Sequence, residues 1–379
     1  MAFLNVSQLC GFMVDMWTNV ISWFNGAIGN YAWSIILLTL VIKVLLLPLD
    51  FFNKRTSRKN SQMQAKIQPQ LAKLQQKYGN DKNVYNQKVA EVYKANNYNV
   101  VGSCLFMLVY LVVTLVIFIT LFSGLNAMAS KKIIGEYDAL KQTYNTAYTT
   151  QIEGGATEND AIEYANGQVR IKYNEIKKEF SWLWIDNVWK PDMPTNSIPS
   201  ADDYLKIART VRIDEEDVAI KNLTAEQKEE FKAEYAKVMT PLEKTEGRTN
   251  GFLILTVLTV ATAFLTQWLA WRKNKKTTGD NPMASSGKIM MIIMPLMLGF
   301  FALTYNAVFA LYLLTSQIIA LASTPLMDLV LDKVEKSVEQ KQVQAVTMDY
   351  SRTNIQKNKD HKQKKSKNEN EKEYFKEKK

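Results

Sequence analysis

Long apolar runs alternate with charged stretches along this chain. Two of the runs, 105–122 and 289–322, contain no Asp, Glu, Lys or Arg. A soluble core helix rarely needs an uncharged stretch of this length, whereas a bilayer crossing needs about 20 apolar residues. Strand edges would leave backbone groups unsatisfied in lipid, so each crossing must be a helix. The pattern predicts an all-α polytopic membrane protein.

The apolar runs divide into five predicted crossings. The run after residue 288 is about twice as long as a ~30 Å hydrocarbon core requires, so we divide it at Tyr305-Asn306. The predicted five-helix transmembrane core consists of 31–49, 102–124, 251–271, 288–304 and 307–327.

Lysine and arginine gather in the loops on one side of these crossings. The segment 52–99 carries ten of them against two acidic residues, and 272–287 carries four against one. Cytoplasmic loops carry such an excess, so both loops and the basic tail 328–379 are expected in the cytoplasm. Five crossings then place the N-terminus and the segment 128–250 outside.

The first 28 residues predict an amphipathic helix lying in the outer membrane interface. Its apolar residues recur at helical spacing with polar residues between them. These apolar residues are Leu9, Phe12, Met13, Met16, Val20, Trp23 and Phe24. A sixth crossing through 6–25 is the competing interpretation, which Asp15 near its middle disfavours.

The loop 52–99 predicts a cytoplasmic helical hairpin. Apolar residues three and four apart indicate helices over about 57–78 and 82–96, with a turn at Gly79-Asn80. Such a hairpin is too short to bury much surface by itself, so we expect it to move relative to the membrane.

The segment 128–250 predicts a mostly helical extracytoplasmic insertion. Helices are expected at Lys131–Tyr148 and Asp160–Phe180, and a capping box at Thr224 and Gln227 would open another near 225–238. The acidic run 214–217 indicates a solvated turn or helix start rather than a cation site. We expect three tryptophans, Trp182, Trp184 and Trp189, at the lipid–water interface.

Composition narrows the chemistry further. Two cysteines and one histidine argue against a disulfide scaffold, a zinc cluster or a histidine-based catalytic centre. We therefore expect no cofactor, no metal and no enzymatic activity. The formal net charge of +10 lies mainly in the cytoplasmic loops and tail.

The tail from Arg352 onward is rich in Lys, Asn, Gln and Glu and should be disordered in isolation. Its basic residues offer a grip on phosphate backbones or anionic head groups. They are Arg352, Lys357, Lys359, Lys362, Lys364, Lys365 and Lys367. A solubilising tail that merely follows the charge bias of cytoplasmic segments is an equally good interpretation.

One charge lies where lipid is expected. Lys43 falls inside the first crossing, where a cation costs ~2.5–3.5 kcal/mol on insertion scales. It either lines a wet recess open to the cytoplasm, with Thr39 on the same helix face, or extends its side chain to the inner head groups. Polar side chains in the other crossings favour a shared hydrophilic cavity, although single Ser and Thr residues usually bond to their own backbone. The proposed lining residues are Lys43, Thr39, Tyr110, Thr114, Thr259, Gln267, Tyr312 and Ser316.

Several stretches, taken in order, resemble the YidC/Oxa1/Alb3 family of membrane protein insertases. The resemblance covers roughly residues 8–128 and 180–330. It rests on Gly29–Ile36 leading to Thr39, Lys43 and Pro48-Leu49, on Met63–Pro69, Tyr78–Lys82 and Tyr93–Ala95, on Asn99, Gly102 and Cys104, on Trp182–Ile185, and on Asp280–Met283, Lys288–Met290, Pro295 and Leu311-Tyr312.

This resemblance implies an insertase of the bacterial plasma membrane with a hydrophilic groove open to the cytoplasm and to lipid. Lys43 would keep the groove wet, and Tyr312 would contact the emerging substrate helix. The hairpin would receive the nascent chain through Met63, Pro69, Tyr78 and Gly79. The implied partners are nascent membrane proteins, ribosomal RNA through the basic tail, and lipids, with a Sec translocon as a further candidate.

The chain departs from the family pattern at Lys43, where the family usually has arginine, and at Val100, which replaces a common proline. Two other functions remain open: a secondary transporter or channel, and a ribosome-tethering membrane protein without insertion activity. A transporter predicts internal repeats and paired intramembrane charges, which the sequence does not show.

Overall fold

The structure, a computed structural model, describes residues 6–96, 100–208, 210–213, 216–278, 283–337 and 340. The chain forms two compact units, Met1–Leu321 and Ala322–Lys379, and in the second the described part is 322–337 with residue 340. The fold is mostly helical. In chain order the elements are α1 Val6–Ile28, α2 Tyr31–Tyr78, α3 Lys82–Ala95, α4 Val100–Glu153, α5 Glu158–Phe180, α6 Ala201–Ile207, β1 Thr210–Ile213, β2 Glu216–Ala219, a 3-10 turn Ile220–Asn222, α7 Ala225–Glu246, α8 Ile254–Thr278, α9 Met283–Thr304 and α10 Ala307–Ser337.

Four helices are long and apolar enough to cross a membrane: α2, α4, α8 and α10. A shorter apolar segment, Ile292–Thr304, lies in α9. Large apolar side chains point away from the protein along these helices; Leu45 is 73% exposed and Phe300 62%. The fold is thus that of an all-α membrane protein. The assignment of exactly five crossings, which depends on α9, stays a prediction.

The first crossing and the first arm of the predicted hairpin are one helix. Helix α2 runs unbroken for 48 residues and contains Pro48 and Pro69. Asn30 opens it, since its side-chain oxygen accepts hydrogen bonds from the backbone N–H groups of Ala32 and Trp33. The turn at Gly79-Asn80 then leads to α3, where Asp81 caps the helix start. The sequence suggested two helices because polarity changes after residue 52, but the backbone stays helical through that change.

Helix α1 packs along α4 through a close approach at Gly124. A side chain at Gly124 would meet the Cβ of Trp17 at 2.9 Å, and the Trp17 indole N–H donates to the Thr120 hydroxyl at 3.1 Å. Ile21 is fully buried, whereas Phe12 and Trp23 on other faces are about 70% exposed. The helix is therefore two-faced, with apolar side chains left exposed; its position at the outer interface stays a prediction.

The segment 128–250 forms a helical layer with a small strand pair. The second half of α4 packs against α5 and α7 around a cluster of aromatic rings, Tyr137, Tyr204, Phe231 and Tyr235, whose centroids lie 4.8–5.9 Å apart. The expected capping box at Thr224 and Gln227 opens α7. Strands β1 and β2 pair antiparallel, although no strand was expected in this segment. Glu216 and Asp217 of the acidic run begin β2 rather than a helix.

Candidate functional site

Lys43 lies at the edge of the buried face of α2. That face consists of Ile35, Leu38, Thr39 and Ile42, which recur three and four residues apart and are at most 8% exposed. Lys43 is half-buried, and the next residue, Val44, is 55% exposed. Within the described residues the Lys43 ammonium makes no hydrogen bond or ion pair. A cation in this position needs water or lipid head groups within its reach, because a dry surrounding would leave its charge unsatisfied.

The hydroxyl groups predicted to line the cavity donate hydrogen bonds to backbone carbonyls of their own helices. Thr39 donates to the Ile35 carbonyl at 2.6 Å and Thr259 donates to the Leu255 carbonyl at 2.7 Å. Thr114 donates to the Tyr110 carbonyl at 2.9 Å. These bonds are the ordinary arrangement of Ser and Thr in membrane helices, and each oxygen keeps an acceptor position.

The remaining lining residues lie in different settings. Tyr312 is half-buried and its ring packs against Phe118 of α4 and Phe309 of α10, with centroids 6.4 and 6.2 Å away. Gln267 is half-buried on α8. The Ser316 hydroxyl is buried and has no hydrogen-bond partner among the described residues. Tyr312 is thus part of an aromatic contact that joins α4 to α10.

Among the described residues, Tyr110 is the lining residue that bonds a side chain of another helix. Its hydroxyl donates to the Asp50 carboxylate at 2.8 Å, linking α4 to α2. Asp50 was not among the predicted site residues, because the predicted first crossing ends at residue 49. The sequence signal was there: Asp50 lies seven residues after Lys43, two helical turns later on nearly the same face.

The predicted client-contact residues of the hairpin are at least partly accessible. Met63 and Tyr78 are half-buried, while Pro69 and Gly79 are exposed. Asn99 and the seven basic residues of the predicted ribosome-binding tail lie outside the described residues. No group of three or more His, Cys, Asp or Glu side chains in the described part of the chain could hold a metal ion.

The loop 181–192 joins the beginnings of three helices. The carbonyls of Val188 and Lys190 accept from the first N–H groups of α10, at Val308 and Ala307, at 3.0 and 2.8 Å. Asp192, fully buried, accepts from the N–H groups of Phe252 and Leu255 at the start of α8, at 2.9 and 2.7 Å. A carboxylate at a helix start satisfies donors that have no intrahelical partner and meets the positive end of the helix dipole.

The same loop reaches the start of α2 through Trp189. This residue is 1% exposed, and its ring lies 5.0 Å from Tyr31. Its expected interfacial position is therefore wrong, because the start of α2 covers it. Trp182 and Trp184 are half-buried, and Leu183 between them is 72% exposed.

Two ionisable side chains are buried here, Lys190 of this loop and Glu136 of α4, and no sequence pattern predicts their burial. Burial raises the pKa of the Glu136 carboxyl to about 7, opposed by Lys190 and a hydrogen bond from Asn187. Burial lowers the pKa of the Lys190 ammonium to about 8, opposed by the nearby carboxylates of Asp203, Glu136 and Glu243. Lys190 also donates to the Asn196 carbonyl.

Apolar helices of membrane-crossing length, a half-buried cation within one of them and polar side chains on its neighbours define a multi-pass membrane protein with intramembrane polar groups. The family described as "60Kd inner membrane protein" matches residues 23–333. The chain belongs to this family, the YidC/Oxa1 family, and is a multi-pass protein of the bacterial inner membrane type.

Curated relatives named "Membrane protein insertase YidC" are similar over shorter stretches. The Fusobacterium nucleatum protein is 39% identical over 98 residues, 26% of this chain and 46% of the relative. The Maridesulfovibrio salexigens protein is 40% identical over 88 residues, 23% and 16% respectively. The Bordetella pertussis protein is 29% identical over 119 residues, 31% and 20% respectively. The alignments thus span less than half of each relative.

Proposed function

We propose that this protein is a membrane protein insertase that also helps nascent membrane proteins fold. The main support for this proposal is the family match over residues 23–333, together with the half-buried Lys43 in an otherwise apolar stretch of α2. In the proposed arrangement five crossings surround a hydrophilic groove that opens to the cytoplasm and sideways to lipid. The proposed activity makes and breaks no covalent bond.

The groove would lower the barrier for moving a polar segment across the membrane. A polar or charged client tail would enter water held in the groove, so the dry distance it crosses is shorter than a whole bilayer. Lys43 would attract acidic residues of that tail, and Thr39 and Tyr312 would line its path. The apolar client segment then leaves sideways into lipid, where burial of about 20 apolar residues drives the reaction.

The loop 181–192 supports closure of the groove on the outer side. Its hydrogen bonds hold the starts of α8 and α10, and Trp189 packs on the start of α2. In the proposed orientation, with the N-terminus outside and the C-terminus in the cytoplasm, these three helix starts lie at the outer face. The segment 128–250 would then act as a rigid cap on the groove.

The cytoplasmic segments would deliver the client. The second half of α2 and helix α3 would form the arm that meets the nascent chain at Met63, Pro69, Tyr78 and Gly79. The basic tail, including Arg352 and Lys357, would contact ribosomal RNA through its positive charge. The proposed partners are therefore nascent membrane proteins, the ribosome and lipids, with a Sec translocon as a further partner for some clients.

Reconstitution of the pure protein in liposomes tests this function. A single-span client with a short acidic tail is synthesised in the presence of the vesicles, and external protease is then added. An insertase protects the translocated tail, whereas empty liposomes leave it accessible. If the protein-containing vesicles protect no more client than empty ones do, the insertase function is refuted. A ribosome tether would sediment ribosomes with the vesicles but protect nothing.

A further inference from the structure

The Asp50–Tyr110 contact places an acidic side chain at membrane depth. Tyr110 lies in the cytoplasmic half of the predicted crossing 102–124. Its hydroxyl donates to Asp50 at 2.8 Å, so Asp50 must lie at about the same level. The apolar character of α2 also extends past residue 49, since Phe52 is 52% exposed.

The partner of Asp50 does not neutralise it. A phenol is an uncharged donor, so it fills one acceptor position of the carboxylate and supplies no positive charge. Within the described residues Tyr110 is the only side chain bonded to Asp50. A carboxylate at this depth with several free acceptor positions is favourable only where water or a cation reaches it.

Asp50 and Lys43 together give the groove two opposite charges in a fixed order. They lie seven residues apart on α2, on nearly the same face, separated by about 10 Å along the helix. In the proposed orientation Lys43 is the deeper group and Asp50 is nearer the cytoplasm. A client segment in the groove therefore meets a negative site before it reaches the positive one.

We propose that Asp50 is a specificity-determining residue that retains basic residues of the client on the cytoplasmic side. This inference rests on the proposed insertase function. Lys43 draws the acidic part of a translocating tail inward, while Asp50 pairs with lysine or arginine flanking the client's apolar segment and holds that flank at the groove mouth. The favoured clients carry basic residues immediately after their first apolar segment.

The test compares two clients that differ only in that flank. One carries two lysines after its apolar segment, and in the other these are glutamines. Vesicles of phosphatidylcholine alone are used, because anionic lipids would themselves attract the lysines. Wild-type protein is expected to insert the lysine client roughly three- to tenfold more efficiently, the range of a partly exposed charge pair. Asp50→Asn should remove this preference, so that the two clients are inserted with about equal efficiency, and Asp50→Glu should keep it.

Tyr110→Phe is the matched control for a purely structural role of the contact. Asp50→Asn keeps an oxygen that accepts from Tyr110, whereas Tyr110→Phe removes the hydrogen bond and leaves the charge in place. We expect Tyr110→Phe to retain the preference. If Asp50→Asn keeps the wild-type preference, or if Tyr110→Phe loses it as well, the inference is wrong. If wild-type protein inserts neither client, the insertase function itself fails.

Discussion

One buried carboxylate, that of Asp192, ties the loop 181–192 to the start of α8. Asp192 satisfies two N–H groups at the start of α8, and Gly251 makes room for it: a Cβ at Gly251 would lie 1.9 Å from the Asp192 carboxylate. Neither role is visible in the sequence, because the partners are about 60 residues apart and only the folded chain brings them together.

Gly251→Ala should therefore destabilise the protein. The added methyl group displaces the Asp192 carboxylate and leaves buried N–H groups unsatisfied, a loss of roughly 2–3 kcal/mol. The thermal midpoint of unfolding in detergent measures it. Gly167→Ala in α5 is the control, since a side chain there meets nothing within 4 Å and alanine favours the helix. Equal midpoints for the two variants would contradict the capping role.

Glu136 should make stability depend on pH. Its pKa is raised from 4.5 to about 7 in the folded protein, so the folded state holds this proton more tightly than the unfolded state. The resulting stabilisation is complete below about pH 4.5 and is lost as the pH rises through 7, a change on the order of 3 kcal/mol. Lys190 contributes little there, because its pKa of about 8 keeps it charged below pH 7.

The comparison of wild type with Glu136→Gln isolates this effect. Thermal midpoints at pH 5.0 and 7.5 should fall with rising pH in the wild type and change less in the variant, which has no proton to lose. A variant with the same pH dependence as the wild type would show that another group is responsible.

At the scale of elements, the sequence predicted what depends on local pattern. Apolar runs of membrane-crossing length all lie in helices, and the capping box at Thr224 opens α7 where expected. The continuity of α2 escaped prediction, because a change from apolar to polar side chains alters the surroundings of a helix and not its backbone. Strands β1 and β2, of four residues each, are too short to show a clear alternation.

Helices α8 and α9 pack so closely at Gly299 that an added methyl group there should push them apart. A Cβ at Gly299 would lie 2.5 Å from the Cγ2 of Val260. Gly299→Ala should lower the thermal midpoint in detergent, by overpacking worth roughly 1–3 kcal/mol. The double variant with Val260→Ala removes the clash and should recover most of the loss. Failure of this rescue would argue against the packing.

At the scale of the whole molecule, the candidate site was half predictable. Lys43 and Thr39 stood out because polar groups are rare in an apolar run. The structure places Thr39 on the buried face of α2 and Lys43 at the edge of that face. Asp192 and Glu136 did not stand out, since their surroundings are created by contacts between distant segments. Asp50 was passed over because it falls one residue beyond the predicted end of the first crossing.

The basic tail gives a prediction for the assembled system. Removing the residues after Asp349 should weaken ribosome binding to protein-containing vesicles, with the larger difference at low salt because counterion release drives the contact. Cosedimentation at several salt concentrations measures it. A full-length variant with the seven basic tail residues replaced by glutamine should behave like the truncation. Unchanged ribosome binding in both would favour a solubilising tail.

The central claim is that a cation in the groove promotes insertion, and substitution of Lys43 tests it most directly. Insertion of a single-span client with an acidic tail is measured by protease protection in liposomes containing wild type, Lys43→Arg or Lys43→Leu protein. We expect Arg to preserve insertion and Leu to reduce it about tenfold or more, equivalent to roughly 1.4 kcal/mol of lost attraction and hydration. If the Lys43→Leu variant inserts the client as efficiently as the wild type, the account is contradicted, and Lys43 only extends toward the lipid head groups.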